Sequence, residues 1–138
     1  HPLIEFVGEI SDAEKDDFLG NAMALVCPYD WPEPFGLVLI EALACGTPVL
    51  AYRRGSIPEI IDHGATGFIC ETVSEMVDAV GQVSLINRQR CRAAFDERFT
   101  AERMARDYVA LYERLLEDGT AQAAHAFAVE PHKILGRG

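Results

Sequence analysis

The stretch Pro32-Glu33-Pro34-Phe35-Gly36-Leu37-Val38-Leu39-Ile40-Glu41-Ala42-Leu43-Ala44-Cys45-Gly46-Thr47-Pro48-Val49 decides how the rest of the chain is read. From residue 34 to residue 52 the only charged side chain is Glu41; the others are apolar, small or turn-forming. Pro32, Pro34 and Gly36 punctuate a tight loop. Residues 37–45 then read as a short, mostly buried helix closed by Gly46, and residues 47–52 as a buried strand. A carboxylate in so apolar a run is costly to bury unless something pairs with it. Its helix neighbours at i−4 and i+4, Leu37 and Cys45, offer no cation. Glu41 therefore reads either as a structural carboxylate bonded to backbone or as a ligand-binding one. The loop also brings backbone N–H groups to a helix N-terminus, which attracts anions.

Upstream, residues 3–8 read as a strand ending at Gly8. Ser11 and Glu14 have the spacing of a capping box that opens a helix running to about Leu19. Residues 23–28 form a short apolar strand ended by Pro28, and a loop with Trp31 leads into the central stretch. Downstream, Arg53-Arg54-Gly55-Ser56 is a turn, and residues 57–61 start a short helix with Pro58 in its first turn. Residues 63–67 form a loop and 68–70 a strand. Met76, Val77, Val80 and Val83 mark an amphipathic helix over 73–83. A second covers about 87–97, and a third begins after Thr100 with Met104, Tyr108, Leu111, Tyr112 and Leu115 on one face. From Glu117 the pattern fades, which predicts a domain over residues 1–117 and a disordered tail over 118–138. Alternating short strands and helices indicate an α/β fold, a Rossmann-like parallel sheet with flanking helices. In such sheets ligands bind beyond the carboxyl ends of the strands, so Glu9, the loop 29–36 and the turn 53–56 are expected to share one rim.

The chain has 138 residues, enough for one domain with a real core. Its net charge of −10 makes nucleic acid and anionic membrane surfaces poor partners. No apolar run is long enough to span a bilayer, and the N-terminus shows no leader pattern. Cys27, Cys45, Cys70 and Cys91 form no Cys-x-x-Cys pair, which argues against zinc and for reduced thiols in a cytoplasmic protein.

Two glutamates separated by seven residues, Glu33 and Glu41, are followed here by Ala42-x-Ala44-x-Gly46-x-Pro48-Val49. Together with Gly55-Ser56-Ile57-Pro58-Glu59 and His63-Gly64-Ala65-Thr66-Gly67-Phe68, this string resembles the signature of retaining glycosyltransferases of the GT-B fold, family four or group 1 type. The resemblance covers roughly residues 3–116. It implies a nucleotide-sugar donor as substrate, with no metal or other cofactor. Glu33 would be the catalytic-site carboxylate that holds donor-sugar hydroxyls. Pro34, Phe35, Gly36, Leu37 and Val38 would line the sugar and phosphate, with Glu41 on the ribose. Gly8, Glu9 and Ile10 would lie near the base. Arg54 departs from the small residue usual before Gly55 and reads as a solvated turn residue, and Glu59 as a helix-capping one.

The resemblance reaches only the later part of the family's second, donor-binding domain. By comparison the acceptor domain is missing, and peripheral membrane contact is possible through it. The first two strand–helix units, with their phosphate-clamping arginine and lysine, are missing too. For a sheet order of 3-2-1-4-5-6 this predicts a gap between residues 3–7 and 23–27, and so a fragment that binds weakly and is inactive alone. The implied function of the whole is transfer of a hexose from a UDP- or GDP-sugar to a glycan, lipid or small molecule. Two alternatives keep the architecture: a non-catalytic nucleotide- or sugar-binding module, and a flavodoxin-like interaction domain. Base, sugar, acceptor and oligomeric state are not readable from the residues.

Overall fold

A computed structural model describes residues 1–128, with side chains described to residue 119. Residues 1–99 form one compact unit and the chain from Thr100 another. The first unit runs α1 (Asp12–Asn21), β1 (Leu25–Cys27), α2 (Leu37–Ala44), β2 (Val49–Tyr52), α3 (Ile57–Ile60), β3 (Gly67–Cys70), α4 (Val73–Val80), a 3₁₀ turn (Val83–Leu85) and α5 (Arg88–Arg98). The second contains α6 (Ala101–Ala128).

All strand pairs are parallel, in the order β1-β2-β3. The register sets Val26 beside Leu50 and Ala51 beside Ile69. Because side chains alternate across a strand, β2 feeds two cores. Val49 and Ala51 join Leu39, Leu43, Ile57, Ile60 and Cys91 of the helices on one face. Leu50 joins Met76, Ala79 and Val83 on the other. Both faces of β2 are thus covered, which explains why its sequence is apolar throughout rather than alternating.

The strands and helices predicted over 23–28, 47–52, 57–61, 68–70, 73–83 and 87–97 all form, within a few residues of the expected ends. At residues 3–8 the expectation fails. That segment pairs with no strand, and Leu3 and Phe6 are 88% and 94% exposed. A strand needs a neighbour to take its N–H and C=O groups, and among the described residues none lies beside it. The last helix also continues past the predicted boundary at 117, through Ala128, so residues 118–128 are helical. The rest of the expected tail, 129–138, lies outside the described residues.

Candidate functional site

The carboxyl ends of all three strands open onto loops that are tied to one another. After β1 comes the loop with Asp30, Trp31 and Glu33; after β2, Arg53 to Ser56; after β3, Glu71. The Ser56 N–H donates to the Glu33 carbonyl at 2.8 Å. Arg54 Nε donates to Asp30 Oδ1 at 2.5 Å, with Glu71 3.8 Å from its Nη1. Arg53 Nε donates to Glu71 Oε1 at 2.7 Å. Arg54 is therefore a cross-loop staple and not the solvated turn residue that the sequence suggests. Gly55 is required where the loops meet: φ is +51°, and a Cβ there would fall 2.2 Å from the Glu33 carbonyl oxygen.

Glu33 sits at the start of α2 and faces its own loop. Its Oε1 accepts the Gly36 N–H at 2.9 Å and the Phe35 N–H at 3.4 Å, and its Oε2 accepts the Trp31 indole N–H at 3.4 Å. A carboxylate at a helix N-terminus is held by N–H donors and by the dipole. Gly36, the N-cap, has φ +80°, and a Cβ there would press 2.9 Å from Ile60 Cδ1 and 3.0 Å from Leu39 Cδ1. The Leu37 and Val38 N–H groups have no backbone acceptor among the described residues, and both side chains are exposed, Leu37 by 64%. These are the anion-attracting donors anticipated from sequence.

Beside this junction lies a cavity of about 430 Å³, lined by Glu33, Phe35, Ile40, Ser56, Glu59 and Phe99 among others. Its walls combine apolar and aromatic surface with two carboxylates, a composition suited to a small polar ring. Glu59 thus borders the cavity, a position that its reading as a helix-capping residue did not anticipate. Tyr29 stacks on Trp31 with ring centroids 4.4 Å apart. Burial, with Cys27 beside it, pushes the Tyr29 phenol up to about 12, and burial likewise raises the Cys27 thiol.

Glu41, one helical turn past the loop, is partly exposed and meets a partner that no spacing rule reveals. Lys15 Nζ of α1 donates to its Oε1 at 2.9 Å. That pairing answers the cost anticipated for a lone carboxylate in an apolar run. The Glu33 loop, the start of α2 and Glu41 follow one another along a single helix, so the structure brings these predicted residues together. Gly8, Glu9 and Ile10 lie on the unpaired segment before α1, and no hydrogen bond or ion pair joins them to the Glu33 loop among the described residues. Lys15, the Asp30–Arg54 staple and the Trp31–Glu33 bond escaped the sequence because each depends on side chains that meet only in the fold.

A family model described as glycosyl transferases group 1 matches residues 3–102. N-acetyl-alpha-D-glucosaminyl L-malate synthase of Bacillus anthracis is 37% identical over 94 residues, 62% of this chain and 25% of that protein. Sucrose-phosphate synthase of Thermosynechococcus elongatus superposes with a TM-score of 0.69 at 28% identity, covering 83% of this chain and 30% of that one. HepE of Anabaena, solved in complex with UDP, shares the fold with a TM-score of 0.61 at 21% identity, covering 70% and 29%. The chain spans a quarter to a third of the length of these three.

Proposed function

The chain belongs to the group 1 glycosyl transferases, of GT-B type, and from that premise we propose that it is the donor-binding part of a retaining glycosyltransferase. Its substrate is a UDP- or GDP-hexose, and the longer protein passes the hexose to a glycan, lipid or small-molecule acceptor. One observation carries the reading: two unblocked N–H groups at the start of α2, those of Leu37 and Val38, lie between a carboxylate at the cavity and another on the helix. The diphosphate sits at the N–H groups, the hexose in the cavity with its hydroxyls on Glu33, and the ribose diol on Glu41.

In this reading the chain works by position and electrostatics. Charge develops on the departing diphosphate, and the N–H groups and dipole of α2 are already aimed at it. Glu33 fixes the face of the hexose by charge-assisted hydrogen bonds. No side chain needs to become a covalent nucleophile, and the diphosphate charge is met by backbone without a metal. The HepE complex with UDP supports a uridine nucleotide as the first ligand to try.

The test is a titration of the chain with UDP, GDP and ADP and their hexose conjugates, followed by Trp31 fluorescence and amide chemical shifts. The Trp31 indole is bonded to Glu33, so a ligand that engages Glu33 must disturb it. Saturable binding of one nucleotide, weakened in Glu41→Ala and indifferent to a chelator, is the expected result. A ligand that moves neither Trp31 nor the amides of residues 36–41 overturns the assignment.

A further inference from the structure

We propose that Lys15 is a positioning residue for nucleotide recognition: it grips one oxygen of Glu41 and leaves the other aimed for a ribose diol. The inference rests on the ribose role proposed for Glu41. It adds a residue from a different element, outside the stretch from Glu33 to Val49 that carries the signature.

The geometry of α1 makes Lys15 more than a chance surface cation. At the start of the helix, Glu14 accepts from both the N–H and the hydroxyl of Ser11. The far end is anchored deeper. Thr47 Oγ1, fully buried, donates to the Leu19 carbonyl at 2.7 Å, and Arg88 Nη2 and Nη1 donate to the Gly20 and Ala22 carbonyls, each at 2.7 Å. Leu19 is 4% exposed. Lys15 precedes Leu19 by one turn and so shares its inward face. Asp16 approaches Cys45, the C-cap of α2 one turn beyond Glu41, at 3.9 Å. The two helices are thus in register along the contact, and Lys15 is delivered to Glu41 by a helix capped at its start and anchored to the core side at its far end.

Of the two Glu41 oxygens, Oε1 accepts from Lys15, and Oε2 has no hydrogen-bond partner among the described residues. Lys15 also reaches Asp12 at 3.0 Å, but that carboxylate is 99% exposed and competes from solvent. Glu41 and then Asp12 push the Lys15 ammonium above its ordinary range, so it is a cation at neutral pH. A carboxylate held at one oxygen loses rotamer freedom before the ligand arrives, and less ordering is left to oppose binding. The oxygen that Lys15 does not hold can accept from the ribose hydroxyls.

The test compares UDP and GDP with their 2′,3′-dideoxy forms, by amide chemical-shift titration to millimolar ligand. Wild type, Lys15→Met, Lys15→Arg and Glu41→Ala are used, each first shown to keep the dispersed spectrum of the folded chain. In wild type the ribose form binds more tightly. Lys15→Met is expected to shrink that preference about tenfold, the scale of a charged hydrogen bond, while the dideoxy form binds as before. Lys15→Arg restores most of it. If Lys15→Met keeps the preference while Glu41→Ala loses it, Lys15 plays no positioning part and the ribose assignment stands. Equal weakening of ribose and dideoxy forms would mean a structural effect and also overturns the proposal. Preference retained in Glu41→Ala, or no shift with either nucleotide in wild type, removes the ribose assignment and this inference together.

Discussion

At the residue scale, Glu33 serves the fold as well as the proposed site. Glu33→Ala deletes the acceptor for the Gly36 N–H, and loss of such a cap costs about 0.5–2 kcal/mol, measured by urea denaturation. Glu33→Gln keeps a carbonyl acceptor and is expected to lose less stability, yet to weaken nucleotide-hexose binding much as Glu33→Ala does. Parallel losses of stability and binding in the two variants would reduce Glu33 to a cap. Gly36→Ala forces a side chain into φ +80° against Ile60 and Leu39 and is expected to cost at least about 1–2 kcal/mol, by the same measurement. Tyr29 offers a test by pH. Its folded value of about 12 exceeds the ordinary value of about 10, so between them the folded chain keeps a proton that the unfolded chain has released. Stability should therefore fall as pH rises across that interval. Tyrosinate absorbance should show a late-ionising phenol that Tyr29→Phe removes.

At the scale of elements, the helices were readable where they carry their own punctuation. Ser11 with Glu14, Pro58 in a first turn, and Gly46 after α2 are local signals, and each element forms near where they put it. What joins the elements was not readable. Arg88 donates to the carbonyls of Gly20 and Ala22 and to Thr47 Oγ1, partners 41 to 68 residues away. Arg88→Ala leaves those groups without their donor and is expected to cost about 1–3 kcal/mol, seen in urea denaturation. Because those bonds hold the far end of α1, the same variant should sharpen amide exchange along residues 12–21 before it affects β2 or β3. Uniform loss of protection would show that α1 is not held separately.

At the scale of the whole molecule, the buried apolar residues among those described lie between Leu19 and Ala94, inside the first compact unit. Residues 1–99 alone are therefore expected to give a dispersed amide spectrum and one cooperative unfolding transition; a collapsed, undispersed spectrum would show that the core needs more of the chain. The failed strand at residues 3–8 belongs to this scale too. Its residues have the composition of a strand, but composition supplies only one side of a ladder, and the partner must come from elsewhere in space. Likewise β1 is an edge: Val26 is 46% exposed while its register neighbour Leu50 is fully buried. By itself the sequence determined the α/β class and the order of elements from α1 onward, and it singled out the stretch from Glu33 to Glu41 as the candidate site, because turn formers, caps and hydrophobic periods act over a few residues. Only the tertiary structure decided which cation meets Glu41, how Glu33 is held, and how the loops after β1 and β2 meet at one cavity. Those facts depend on which side chains the packing of distant helices and strands brings within a hydrogen bond's length, and no local pattern encodes that distance.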